Sequence, residues 1–115
     1  MKFLTLAAGG GHHGALALLG YMHSLGLGGL ARDLRVAEDY FKKSVSSGGG
    51  DALGYNGLGY LEFKNGNLQQ AFQHFNESAV RDSADGMFNL ASLYLTGAGT
   101  GQNFHKAFFW YSQVK

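Results

Sequence analysis

The chain has 115 residues, of which 45% are hydrophobic and 14% aromatic, and its formal net charge is only +1. That composition supplies one core, burying roughly two-thirds of the surface the unfolded chain exposes, and no long-range field that would gather nucleic acid or an anionic membrane. Cysteine and proline are both absent, which excludes disulfides and thiolate metal sites and leaves glycine to break the elements.

Residues 1–13 read as a remnant or tail. The stretch Met1-Lys2-Phe3-Leu4-Thr5-Leu6-Ala7-Ala8 is cut off by Gly9-Gly10-Gly11, too soon for a secretory apolar core or for the ~20 residues that span a bilayer. No targeting signal and no direct membrane insertion are expected of this segment. A first unit is expected over 14–50. Its first helix carries Leu16, Leu18, Leu19 and Met22, with Ala15, Ala17 and Gly20 leaving room for a neighbour. After the loop Gly26-Leu27-Gly28-Gly29, Asp33 caps a second helix with Val36, Ala37, Tyr40, Phe41 and Val45 on one face. Gly48-Gly49-Gly50 ends the unit.

The second unit, 51–83, turns at Lys64-Asn65-Gly66. Asn67 is expected to cap its second helix in a capping box with Gln70, and Ala71, Phe72, Phe75 and Ala79 form the buried stripe. The third unit, 84–115, carries Met87, Leu90, Leu93 and Tyr94, then the loop Gly97-Ala98-Gly99-Thr100-Gly101. Asn103 caps a last helix with Ala107, Phe108, Trp110, Tyr111 and Val114, where the pattern stops short.

The three units share a register. Ala37, Ala71 and Ala107 recur at spacings of 34 and 36, each with Asp or Asn four places before and an aromatic four places after. Leu19, Leu58 and Leu90 form a second column in the first helices. A period of this size belongs to stacked helical hairpins, none of which buries its apolar face alone. The expected fold is all-α, a right-handed α-α superhelix of six main helices. Stable arrays carry polar terminal caps, and the Phe104, Phe108, Phe109 and Trp110 group has the look of a face awaiting a further repeat. The chain is therefore expected to be a piece of a longer array.

At these residues the chain resembles the Sel-1-like repeat family, relatives of the tetratricopeptide repeat with glycine-containing loops. The fullest match runs from Asn89-Leu90-Ala91-Ser92-Leu93-Tyr94 through Gly97-Ala98-Gly99 to Lys106-Ala107 and Trp110-Tyr111. The first unit keeps Leu19-Gly20, Gly26-Leu27-Gly28 and Tyr40-Phe41, with His23 in place of the tyrosine; the second has Glu62 there and a shorter loop. Gly26-Leu27-Gly28-Gly29-Leu30-Ala31-Arg32-Asp33, Tyr55-Asn56-Gly57-Leu58-Gly59-Tyr60-Leu61 and Gly86-Met87-Phe88-Asn89-Leu90 are similar to the Hrd ubiquitin-ligase adaptors within that family. That likeness implies a lumenal endoplasmic-reticulum scaffold in ER-associated degradation, with ligase components, misfolded clients and lectins as partners.

Motifs that imitate chemistry fail on context. The G-x-G loops follow helices rather than strands and lack a Walker lysine, so they read as turns. His12-His13 are adjacent and face different sides of a helix, and His23, His74 and His105 occupy unlike repeat positions, which does not make a metal site. No nucleophile–base constellation occurs. No enzyme activity and no cofactor are expected. Asn76-Glu77-Ser78 matches the N-glycosylation acceptor pattern, although inside a helix. The aromatic columns read as inter-repeat core.

The first helices of such arrays usually line the concave face. Their exposed aromatic and polar positions, Tyr21, Tyr55, Tyr60, Glu62, Phe88 and Ser92, are the candidates for partner contact. The function expected is a non-catalytic protein–protein interaction scaffold, with an adaptor of ER-associated degradation as its specific form. The rivals are a tetratricopeptide-like cochaperone or signalling adaptor outside the ER and a self-assembling bacterial-type repeat protein. Binding of acidic tails needs convergent cations, and the first helices offer Asn56, Lys64 and Asn89 without a basic cluster.

Overall fold

A computed structural model describes residues 13–26, 33–46 and 51–114. Among the described residues lie six helices and no strand: α1 (His13–Leu25), α2 (Leu34–Val45), α3 (Ala52–Lys64), α4 (Leu68–Val80), α5 (Ala84–Thr96) and α6 (Phe104–Gln113). The tail, most of the first glycine loop, Gly48-Gly49-Gly50 and His12 lie outside them.

Helix starts follow the cap chemistry with one exception. Asp33 accepts from the N–H groups of Arg35 and Val36, and Asn103 from that of Lys106. Asn67 makes no side-chain cap bond. Its ψ is 70°, against 104° at Asp33 and 101° at Asn103: all three donate their N–H to the carbonyl four places after the anchor Leu, but Asn67 reaches Glu62 across a turn about half as long as those joining Asp33 to His23 and Asn103 to Tyr94. The capping box with Gln70 is consequently not formed. Asp51 and Ser83, which the register argument passed over, cap the first helices by accepting from Gly54 and Gly86. Gly97, at φ 74°, closes α5 in the left-handed conformation that a Cβ disfavours.

The anchors Ala37, Ala71 and Ala107 are wholly buried. Each pairs its hairpin (α1–α2, α3–α4, α5–α6), and α2 packs on α3 as α4 packs on α5. One apolar cluster joins Ala37 and Phe41 to Leu58 and Leu61; the next joins Ala71, Phe75 and Ala79 to Met87, Leu90 and Leu93. Each cluster therefore straddles a boundary between hairpins, which is the packing a solenoid needs and a closed bundle does not have. Leu18 departs from its expected stripe and is 44% exposed, whereas Leu16 and Leu19 are buried.

Small residues set how closely the hairpins approach. The buried Phe41 ring lies between Gly20 of its own hairpin and Gly57 of the next; a Cβ at Gly57 would come within 2.3 Å of it. Ser44 and Ser78, both fully buried, lie against Gly54 and Gly86 at the start of the following hairpin. Among the described residues α1, α3 and α5 touch in succession, while α2, α4 and α6 do not touch one another. The first helices thus form the inside of the bend, and the second helices splay on the outside.

Candidate functional site

A polar ladder crosses the inner face. Tyr21 on α1 donates its hydroxyl to the Leu53 carbonyl at 3.1 Å and accepts from Asn56 at 2.9 Å. Asn89 on α5 in turn donates to the Asn56 side-chain oxygen at 2.8 Å. One chain of hydrogen bonds therefore ties three successive first helices across two boundaries. Burial pushes the Tyr21 hydroxyl up to about 12, against the lowering effect of the Asn56 bond, and the Asp85 and Asp51 carboxylates add to the rise. Asn56 and Asn89 are not among the contact residues expected from the sequence, where they stand in the family-like stretches and as possible tail ligands. Their signal was an amide at the middle of an apolar helix, a group that must find a partner when buried.

Beyond Asn89 a groove of about 340 Å3 opens between α3 and α5. Tyr60 and Phe63 form one wall, Asn89, Ser92 and Thr96 the other, and Phe75 the floor. Phe63 is 46% exposed, and Phe88, one turn before Ser92 on α5, is 54% exposed. Ser92 bonds the Phe88 carbonyl and, at 2.9 Å, the Tyr111 hydroxyl, while the Phe88 ring meets Tyr111 edge-on with centroids 5.5 Å apart. The groove is lined by no Lys or Arg.

The six sequence-predicted contact residues do not share this place. Tyr60 and Ser92 line the groove and Phe88 stands a turn away. Tyr21 commits its hydroxyl to the ladder. Tyr55 stacks on His74 at 6.0 Å, with the Arg81 guanidinium over its ring at 4.6 Å. The Glu62 carboxylate is hydrogen-bonded to the His74 imidazole. These last two turn toward α4, across α3 from the groove.

Among the described residues no group of three His, Cys, Asp or Glu is placed to hold a metal, and His12 of the His12-His13 pair lies outside them. Asn76 is half-buried on α4; the Ser78 hydroxyl of the same tripeptide is buried and donates to the Ala52 carbonyl at 2.7 Å. No described helix is long and apolar enough to cross a membrane.

The family model described as the Sel1 repeat matches residues 13–49, 52–79 and 84–113. Over 111 residues, 92% of its length, the chain is 31% identical to the Arabidopsis thaliana protein described as ERAD-associated E3 ubiquitin-protein ligase component HRD3B. It spans 17% of that relative. In structure it is similar to c5321, a protective antigen of uropathogenic Escherichia coli with an SLR fold, at a TM-score of 0.84 and 22% identity over 98% of this chain and 24% of that one. A Sel1 repeat protein from Oxalobacter formigenes aligns at a TM-score of 0.81 and 24% identity, covering 99% of this chain and 47% of the other. At those identities the structural likenesses speak for the fold alone.

Proposed function

This chain belongs to the Sel1 repeat family, and from that premise we propose that it is a non-catalytic scaffold gripping a partner polypeptide on its inner face. The family fold is one of scaffolds. The observation that carries the reading is the groove between α3 and α5, where Tyr60 and Phe63 offer partly exposed aromatic surface beside the polar edge of Asn89 and Ser92, with the exposed Phe88 ring a turn away on α5. Rigid aromatic rings next to hydrogen-bonding side chains suit capture of a peptide or helix. An acidic tail would find no cation among the groove's lining residues, which disfavours the cochaperone alternative.

In its specific form the proposal makes these three hairpins a section of a longer adaptor in ER-associated degradation, acting in the ER lumen. Its support is the likeness to the HRD3B component. Ligase components, misfolded clients and lectins are the proposed partners. In that compartment, glycan transfer to Asn76 would have to precede docking of α4, because the Ser78 hydroxyl of its acceptor tripeptide is sealed against Ala52. The test is co-purification of ligase components and lectins with the wild-type chain and with a Phe63→Ala, Phe88→Ala variant of unchanged helical circular dichroism. The wild type should retain them and the variant should lose them. Equal retention would discard the inner-face assignment; recovery of neither by the wild type would discard the degradation role and leave the scaffold standing.

A further inference from the structure

The two boundaries between hairpins are sealed differently on the outside of the bend. Between the second and third hairpins, Phe72, one place after anchor Ala71, meets Tyr94, four places after Leu90, edge-on with centroids 5.4 Å apart. The same register positions at the first boundary are held by Glu38 and Glu62. Two carboxylates do not pack as two rings do, and each turns to a nitrogen group instead: Glu38 to the Lys42 ammonium at 3.0 Å, and Glu62 to the His74 imidazole. The space the rings would occupy stays open as a groove of about 600 Å3 between α2 and α4, with Val45, Leu58 and Leu61 on its lining.

We propose that this outer groove is a second docking site, taking a short partner segment that presents one aromatic side chain with a carboxylate beside it. The aromatic requirement follows from continuity with the neighbouring boundary, where the protein's own Phe72 fills the equivalent place against the equivalent helix. The carboxylate requirement follows from the charges left over. Both groove acids are already paired, and the Lys42 ammonium lies within the influence of Glu38, Asp39 and Glu62 together. Arg35 lines the same groove and has no ion pair among the described residues. A guanidinium offers a carboxylate two parallel hydrogen bonds. Gln70 and Asn65, also on the lining, form no side-chain hydrogen bond among the described residues and remain available to a partner's backbone. The site goes beyond the inner-face reading and does not depend on it, since the two grooves lie on opposite sides of α3.

The test uses the full chain, 15N-labelled, titrated with a blocked Gly-Asp-Phe-Asp-Gly peptide to millimolar concentration. Saturable shifts are expected at Arg35, Leu61, Glu62 and His74 and not at Phe63, Asn89 or Ser92. Replacing the peptide's Phe by Ala should weaken binding roughly tenfold, as loss of a buried ring implies. Arg35→Glu, a change on an exposed residue, should weaken it by a factor of roughly five to ten. A Glu38→Phe, Glu62→Tyr variant copies the second boundary into the first and should abolish the shifts while keeping the helical signal. Phe88→Ala should leave the titration unchanged. No saturable shift, shifts confined to the inner groove, equal binding by the filled variant, or a peptide-independent dimer through this face in sedimentation would each overturn the proposal.

Discussion

Tyr21 shows how a residue chosen for its exposure potential can be claimed by the fold. Its ring packs edge-on against Phe41 with centroids 4.9 Å apart, and its hydroxyl links α1 to α3. The folded state keeps the hydroxyl neutral up to about pH 12, whereas in the unfolded chain it ionises near its ordinary 10.0. Between those values the unfolded state has released a proton that the folded state still holds, so stability falls as pH rises. The contribution is complete below pH 10 and is lost by pH 12, an effect of order 2 kcal/mol. Tyr21→Phe should therefore unfold at lower urea at pH 8, by about 1–2 kcal/mol for the unpaired Asn56 and Leu53 groups, and should have a shallower alkaline decline. A variant with the same pH 8–12 slope as the wild type would show that the buried Tyr21 hydroxyl does not carry it.

At the scale of the element, each hairpin is closed by the same two register positions with different chemistry. The residue four places after the anchor Leu and the residue three places after the anchor Ala are His23 and Tyr40, Glu62 and His74, Tyr94 and Trp110. The first pair stacks at 5.5 Å, the second is hydrogen-bonded, and the third joins the apolar cluster. The register positions are kept while the side-chain chemistry at them drifts. The caps behave likewise. Ser83 bonds the Gly86 N–H at 3.1 Å, while the Asn67 side chain bonds no N–H of α4. Ser83→Ala should then cost about 1 kcal/mol in thermal or urea unfolding, and Asn67→Ala only a few tenths. Equal losses from the two would refute the distinction.

Over the whole molecule, stability is a sum of hairpins and boundaries, and the molecule extends 44 Å against 25 and 22 Å across. The first boundary rests on Phe41 of α2 inserted against Gly57 of α3. Gly57→Ala forces a methyl into a ring that is wholly buried and has nowhere to retreat, at about 1–3 kcal/mol. Because the array is linear, the loss should be local. Amide hydrogen exchange is expected to speed up in α1 and α2 while α3 to α6 keep their protection. Uniform loss across all six helices would mean that the described hairpins unfold as one cooperative unit. A smaller side chain at Phe41 should restore part of the loss, a coupling a double-mutant cycle reads directly.

Periodicity in the chain sufficed for the helices, the hairpin order and the choice of a solenoid over a bundle, because the recurrence of anchor, cap and aromatic at spacings of 34 and 36 is a local property that each hairpin repeats. The family resemblance rested on the same columns. What needed coordinates was everything that depends on which side of a helix a residue faces after stacking. Tyr60 and Glu62 are two places apart on α3, yet one lines the inner groove and the other the outer. The Tyr21–Asn56–Asn89 ladder joins residues at three different register positions, so no column reveals it. The outer groove comes from a pair of carboxylates 24 residues apart, Glu38 and Glu62, whose juxtaposition is set by how two hairpins settle on each other. Local pattern determines what each helix buries; only the packing between hairpins decides what the assembled surface leaves open.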